Sequence, residues 1–263
     1  LEILKKGGNA FDAAIAVSLV LSVVEPHHSG IGGGGFSLIY SKNQDKLYAL
    51  DARGIAPQNA TKDLFIKDGE VCNEWKDNSG KSVTVPGLIK SLEYIYENFA
   101  SLDIKELVKP AYEYAEFGFK TSFTESITIN DESVKRKIEL SKDFRDLFLK
   151  DDCNGYEFGE IQFNKGIANL LKILSEKGFD EFYKGDIADK IVEAINNREG
   201  CFTKEDLSNY EIKLRDIVET DYKGYSVKTF GLPSSGSTVV EMLNILNNFD
   251  LKSMGHNSSD SIH

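Results

Sequence analysis

Arg53 is the residue in this chain with the clearest capacity to bind a ligand. The alternating segment from Leu47 to Arg53 predicts a strand in which Asp51 and Arg53 share a face, because successive side chains on a strand point in opposite directions. A guanidinium is a planar fork of N–H donors that holds a carboxylate through two parallel hydrogen bonds. A lone surface arginine is more often a solvated charge or half of a weak ion pair. The residues alone leave both roles open for Arg53.

A run of glycines lies shortly before this strand. Gly30, Gly32 and Gly35 match the G-x-G-x-x-G pattern of dinucleotide-binding loops. That pattern binds phosphate only where a strand precedes it and a helix follows it. Here a helical segment precedes the glycines and an extended segment follows them. We therefore favour close backbone packing, or positive φ in a tight bend, over nucleotide binding.

The cysteines and the paired histidines give no pattern of a metal or redox site. Cys72, Cys153 and Cys201 are odd in number, far apart and without a C-x-x-C pair, so they indicate neither a disulfide framework nor a zinc site. His27 and His28 are adjacent and would face opposite ways on a strand. We expect no metal site and no cofactor.

The elements around these residues follow from hydrophobic periodicity and capping signals. Asn9 is a good N-cap for an apolar helix that runs to Val24, which Pro26 ends, and the lack of a polar face predicts that protein covers it on several sides. A hairpin of Phe36–Ser41 and Leu47–Arg53 follows. The remaining elements expected to shape the fold are a strand at Ser82–Val85, a helix opened by Pro86 at N1, helices near 165–177 and 186–196, paired strands at Glu211–Glu219 and Tyr225–Phe230, and a helix near Thr238–Asn248.

Three serines precede that last helix. Ser234, Ser235 and Ser237 lie where a helix N-terminus could hold an anion. A serine at this position more often caps the helix with its own hydroxyl, and we favour capping.

An ordered set of motifs covers nearly the whole chain. They are GGNAFDAAIAV, VEPH, SGIGGGGF, ALDARGIAP, TVPG, PAYEYAEFGF, GFDEFYKGDIA, KEDLSNY, YKGYSVKTF and PSSG. In these segments the chain resembles the large-subunit portion of the gamma-glutamyltranspeptidase family. The resemblance implies an α+β fold of the N-terminal-nucleophile hydrolase type, an αββα sandwich, formed by residues 1–263 as a single domain and incomplete because the small-subunit half is absent.

The resemblance also implies a chemistry. Members of the family cleave γ-glutamyl amides such as glutathione through an acyl-enzyme on an N-terminal threonine, which arises when the precursor cuts itself. Arg53 occupies the position of the arginine that grips the substrate α-carboxylate. This chain departs from the family pattern at Gly54, where a glutamate is usual, and at Ser237, where a second glycine is common. His27 falls in the VEPH segment, where its implied role is structural.

The segment in which the family cuts itself is not among these 263 residues, and Leu1 has no nucleophile. We expect this chain alone to be inactive, and to leave strand edges and apolar surface that a small subunit carrying the N-terminal threonine would cover. The net charge of −11 argues against nucleic acid and anionic membrane as partners. The sequence gives no cellular compartment.

Two other functions stay open at this point. One is that of a related amide acylase or a poly-γ-glutamate-processing enzyme. The other is a non-catalytic relative that serves as a binding module.

Overall fold

A computed structural model describes residues 1–263. The chain folds into two compact units, and each unit is formed by two segments that alternate with those of the other along the sequence. Unit 1 comprises Leu1–Gly35 and Arg53–Glu211, and unit 2 comprises Phe36–Ala52 and Ile212–His263. The single domain over residues 1–263 stays a prediction. The helices are α1 (Glu2–Lys5), α2 (Ala10–Val24), α3 (Pro26–Ser29), α4 (Asn73–Asn78), α5 (Leu88–Phe99), α6 (Ile104–Phe117), α7 (Phe123–Asn130), α8 (Glu132–Glu139), α9 (Lys142–Phe148), α10 (Lys165–Lys177), α11 (Asp180–Lys184), α12 (Asp186–Asn196), α13 (Lys204–Ser208), α14 (Gly236–Leu246), α15 (Leu251–Met254) and α16 (Ser259–Ile262). The strands are β1 (Phe36–Ser41), β2 (Lys46–Asp51), β3 (Ile66–Lys67), β4 (Glu70–Val71), β5 (Phe119–Lys120), β6 (Ile161–Gln162), β7 (Lys213–Arg215), β8 (Ile217–Tyr222) and β9 (Tyr225–Phe230).

Helix α2 begins with the capping signal that the sequence indicated. The Asn9 side chain accepts hydrogen bonds from the backbone N–H groups of Phe11 and Asp12, and the Asp12 carboxylate accepts one from the Asn9 backbone. These reciprocal bonds satisfy N–H groups that a helix start otherwise leaves unpaired. The helix is not covered on every side, since Val17 is 54% exposed.

The core of unit 1 forms where α2 packs on α5 and α6, and α6 packs on α10. Helices α5, α6 and α10 each have an apolar stripe at a spacing of three and four residues, which places one face against its neighbours, whereas α2 is apolar nearly all round. The fully buried side chains of these helices include Ile15, Leu19, Ile89, Leu107, Leu171 and Leu174. Helices α10 and α12 have the bounds that the sequence predicted.

Unit 2 contains an antiparallel sheet in the order β1-β2-β7 and a separate β8-β9 hairpin, against which α14 packs. Within the sheet, Asp51 accepts hydrogen bonds from Arg215, with a distance of 2.8 Å between the Asp51 Oδ2 and an Arg215 terminal nitrogen. Gly236 in the first turn of α14 lies so close to the hairpin that an added Cβ would be 2.0 Å from the Phe230 carbonyl oxygen. The helix can approach the hairpin only because this residue has no side chain.

Several predicted boundaries were wrong. Strand β2 ends at Asp51, two residues before Arg53, so strand alternation does not set the direction of the arginine. No strand forms at Ser82–Val85, where Val85 makes one isolated bridge with Ile55. Pro86 lies before the N-cap of α5, which is Gly87, and not at N1.

The serine-capping prediction was also wrong. Ser235 is the N-cap residue of α14, but its side chain makes no capping hydrogen bond. Across the whole chain, none of the helices has the length and apolar content that a membrane crossing requires.

Candidate functional site

Arg53 begins a loop, residues 53–58, that three hydrogen bonds tie to the rest of unit 1. The Tyr210 hydroxyl donates to the Arg53 carbonyl oxygen at 3.0 Å. The Val85 N–H donates to the Ile55 carbonyl at 2.9 Å, and the Gln58 N–H donates to Asp206 Oδ1 at 2.7 Å. Arg53 itself is exposed to solvent. An exposed side chain therefore extends from a backbone that is held in place at both ends.

Asp206 can hold the end of this loop because helix α13 fixes its own position. Its Oδ2 atom accepts hydrogen bonds from the Thr203 backbone N–H at 2.8 Å and from the Thr203 hydroxyl at 2.9 Å, while Thr203 Oγ1 caps the Asp206 N–H. This is a capping box, and only the other carboxylate oxygen reaches the loop. Asp206 is almost completely buried, so both oxygens are engaged in a site with little water.

The backbone at Gly54 passes too close to a neighbouring segment to carry a side chain. An added Cβ would lie 2.1 Å from Thr84 Oγ1 and 2.8 Å from Thr84 Cβ. Thr84 is exposed. The position where the family pattern leads one to expect glutamate thus has its space filled by a threonine from another segment.

The glycine run serves backbone packing, one of the two roles that the sequence favoured. The Gly33 carbonyl accepts hydrogen bonds from the N–H groups of Gly87 at 3.0 Å and Leu88 at 2.9 Å, so it occupies the N-terminus of α5. No glycine from Gly30 to Gly35 has a positive φ. The order around the run is α3, glycines, β1, which is not the strand-glycine-helix order of a dinucleotide site.

His27 and His28 lie together in α3, with ring centroids 4.2 Å apart, and not on opposite faces of a strand. Both ring nitrogens of His27 are buried without a hydrogen-bond partner. Burial, followed by the neighbouring His28, lowers the pKa of His27, which favours the neutral ring. No group of three or more His, Cys, Asp or Glu side chains in the chain has a geometry that could hold a metal ion.

The three cysteines are free thiols. Burial and, second, the negative charge of Asp206 raise the pKa of the Cys201 thiol. A raised pKa disfavours the thiolate, the nucleophilic form. Cys201 therefore lies beside the anchor of the Arg53 loop without the properties of a catalytic cysteine.

Unit 1 also contains a cavity of about 770 Å³ with a mainly apolar lining. Its walls include His27, Ile138, Phe144 and Arg198. Arg53 is not among its lining residues, so this chain does not enclose the arginine in that cavity.

Sequence reasoning identified Arg53 but missed the residues that hold its backbone. Thr203 and Asp206 form the T-x-x-D pattern that marks a capping box, so a signal for a fixed carboxylate was present. Tyr210 lies two residues after the end of α13, inside the KEDLSNY motif, but nothing in its neighbours indicates which backbone carbonyl its hydroxyl would reach.

A family model described as Gamma-glutamyltranspeptidase matches residues 1–263. The chain belongs to this family. It is 35% identical over 271 residues to the glutathione hydrolase proenzyme of Escherichia coli, a match that covers 100% of this chain and 45% of the relative. The chain thus spans less than half the length of that gamma-glutamyltranspeptidase relative.

Solved structures of related proteins support the same assignment. The crystal structure of Helicobacter pylori gamma-glutamyltranspeptidase matches with a TM-score of 0.94 and 32% identity, covering 100% of this chain and 75% of that one. The cephalosporin acylase of Bacillus halodurans matches with a TM-score of 0.86 and 30% identity, covering 100% and 49% respectively. The predicted α+β fold of the N-terminal-nucleophile hydrolase type is confirmed.

Proposed function

We propose that this chain is the large-subunit portion of a γ-glutamyl transferase or hydrolase that cleaves γ-glutamyl amides such as glutathione. The observation that carries the proposal is Arg53, an exposed guanidinium on a tethered loop in a chain of the gamma-glutamyltranspeptidase family. Its role is to bind the α-carboxylate of the γ-glutamyl group. Two parallel hydrogen bonds from one guanidinium fix both the position and the orientation of a carboxylate.

The chemical step uses a nucleophile outside residues 1–263. An N-terminal threonine attacks the γ-carbonyl, with its own α-amine as the base, and the amine of the substrate leaves. The resulting acyl-enzyme is resolved by water in hydrolysis or by an acceptor amine in transfer. Backbone N–H donors stabilise the oxyanion of each tetrahedral intermediate. Arg53 contributes by holding the reacting carbonyl at a fixed distance from the nucleophile.

We further propose that a small subunit carrying this threonine covers part of unit 2, and that residues 1–263 alone are inactive. Helix α14 exposes several large apolar side chains, Val239, Met242, Ile245 and Leu246. An exposed apolar group of this kind is typical of a surface that another chain covers.

Replacement of Arg53 in the complete processed enzyme tests the proposal. Arg53→Ala should raise the KM for a γ-glutamyl donor by roughly ten- to a hundredfold, the range expected for lost charge-assisted hydrogen bonds. Arg53→Lys should give an intermediate KM, because lysine keeps the charge but cannot make the two-pronged contact. The matched control is Arg136→Ala, since Arg136 is an exposed arginine paired within α8 to Glu132.

A second donor in which an α-carboxamide replaces the α-carboxylate makes this test specific. Wild-type enzyme should prefer the carboxylate donor, and Arg53→Ala should lose that preference. An Arg53→Ala enzyme with unchanged KM and unchanged preference would show that Arg53 does not bind the carboxylate.

A second candidate function is that of an amide acylase with a different acyl group, such as a poly-γ-glutamate-processing enzyme or a β-lactam acylase. The similarity to the B. halodurans cephalosporin acylase favours the β-lactam case. Comparison of kcat/KM for a γ-glutamyl amide with kcat/KM for a cephalosporin side-chain amide separates the two. A preference for the cephalosporin would replace the first proposal by the second.

A further inference from the structure

The backbone around Arg53 needs an external constraint to hold one conformation. The residue after it is Gly54, and glycine has access to more φ and ψ values than any other residue. The torsions on the glycine side of the Arg53–Gly54 peptide are therefore limited by neighbours such as Thr84 and not by a side chain on residue 54 itself. A backbone that shifted at this peptide would also move Arg53, because the Arg53 carbonyl is one of the points at which residues 53–58 are tied to unit 1.

Tyr210 supplies a constraint at this peptide plane. Its ring is almost completely buried, and its hydroxyl donates to the Arg53 carbonyl oxygen at 3.0 Å. A rigid phenol ring has only two side-chain torsions, so the hydroxyl position follows from the packing of the ring. Because the packed ring fixes the hydroxyl, the hydrogen bond restricts the position of the Arg53 carbonyl oxygen.

Tyr183 packs beside Tyr210 and holds the neighbouring segment in the same way. The two rings are nearly parallel, with centroids 6.0 Å apart and an interplanar angle of 8°. The Tyr183 hydroxyl donates to the Pro86 carbonyl at 2.9 Å and accepts from the Lys90 N–H at 3.0 Å. Burial raises the pKa of Tyr183, so the hydroxyl keeps its proton for the bond to Pro86.

The two tyrosines therefore hold two segments that also bond to each other, since the Val85 N–H donates to the Ile55 carbonyl. We propose that Tyr210 is a positioning residue for donor binding: it fixes the Arg53–Gly54 peptide and so directs the guanidinium toward the substrate α-carboxylate. The inference rests on the proposed function of Arg53 and adds to it a residue that never touches the substrate.

The experiment measures carboxylate preference in the complete processed enzyme. This preference is kcat/KM for a γ-glutamyl donor divided by kcat/KM for the same donor with an α-carboxamide. Tyr210→Phe removes one oxygen atom and should lower the preference by about threefold to tenfold, through KM and with little change in kcat, as expected for one neutral hydrogen bond. Tyr183→Phe is the matched control, because it removes an equally buried hydroxyl that bonds Pro86 and not Arg53.

A purely structural role for Tyr210 makes a different prediction. Both variants would then lower the melting temperature and leave the carboxylate preference within twofold of wild type. Unchanged preference in Tyr210→Phe, or an equal loss in Tyr183→Phe, would overturn the inference.

A substitution on the acceptor side of the bond covers the case in which Tyr210→Phe does not fold. Glycolic acid in place of Gly54 converts the Arg53 carbonyl into an ester carbonyl, which is a weaker acceptor, and leaves Tyr210 intact. This variant should lower the preference by about two- to threefold, and an unchanged preference would contradict the inference. The proposed function of Arg53 fails by a different result: Arg53→Ala would then leave the carboxylate preference unchanged.

Discussion

Asp12 in α2 and Glu125 in α7 are both completely buried carboxylates of unit 1, and their surroundings differ. Asp12 accepts four hydrogen bonds, from the Asn9 N–H, the Ser101 N–H and hydroxyl, and the Leu102 N–H. Neither carboxylate oxygen of Glu125 has a hydrogen-bond partner. The two carboxylates therefore contribute to stability with opposite signs. Hydrogen bonds offset the cost of removing the charge from water at Asp12, and nothing comparable offsets it at Glu125.

The pKa shifts of the two groups have opposite directions for the same reason. Burial alone would raise the pKa of Asp12, but the Ser101 hydroxyl and the backbone N–H donors outweigh it and lower that pKa. Burial raises the pKa of Glu125, and the polar groups of Gln162 and Ser122, which lie near the carboxylate without hydrogen-bonding geometry, lower that pKa by less. Gln162 instead donates its amide to Thr121 Oγ1 at 2.8 Å.

The largest expected effect is that of Asp12→Ala. Loss of this buried carboxylate leaves its four N–H and hydroxyl donors without their acceptor and should lower the free energy of unfolding by about 3 kcal/mol. Urea denaturation measures the loss. Asp131→Ala is the control, since Asp131 also caps a helix, α8, but is exposed, and its loss should be clearly smaller. Equal losses for Asp12 and Asp131 would show that burial does not strengthen the Asp12 network.

Glu125→Met should have the opposite sign. The methionine has a similar length, needs no hydrogen bond and removes the cost of a buried carboxylate, so the free energy of unfolding near neutral pH should rise by about 1 kcal/mol. The same urea titration detects the rise. A lower stability for Glu125→Met would mean that Glu125 has a donor whose contribution exceeds that of apolar packing.

The pH dependence is the smallest and most specific test. A lowered folded-state pKa means that the contribution of Asp12 is complete above its unfolded value of about 3.9 and is lost as the pH falls through the folded value. A raised folded-state pKa means that the contribution of Glu125 is complete below about pH 4.3 and is lost as the pH rises through the folded value. Asp12→Asn should therefore flatten the acid side of the stability profile, and Glu125→Gln should flatten its decline toward neutral pH. Identical profiles for both variants and wild type would contradict this assignment.

The sequence predicted best those elements whose signals are local. The N-cap at Asn9 and the bounds of α10 and α12 all follow from residues within one or two turns of each other. The boundaries that failed depend on distant segments. Val85 finds only Ile55 as a partner, so no strand forms there, and α5 begins after Pro86 because the Gly33 carbonyl meets its first N–H groups.

The residues of the candidate site also divide into those with a local sequence signal and those that depend on distant segments. Arg53 was found through its motif, and the capping box of Thr203 and Asp206 was visible as a pattern of four residues. The hydrogen bond from Tyr210 to Arg53 joins residues 157 positions apart, and no periodicity indicates it. The missing partners of Glu125 are equally invisible, because a helix with a serine N-cap and an acidic first turn gives no sign of what packs over it.

The close approach of Gly236 to the Phe230 carbonyl reverses an ordinary rule of helix design. Alanine is the best helix former and usually strengthens a helix when it replaces glycine. In the first turn of α14 the added methyl group would clash with the Phe230 carbonyl and force the backbone there to shift. Replacement of glycine by alanine, which stabilises most helices, should therefore destabilise the packing of α14 on the hairpin.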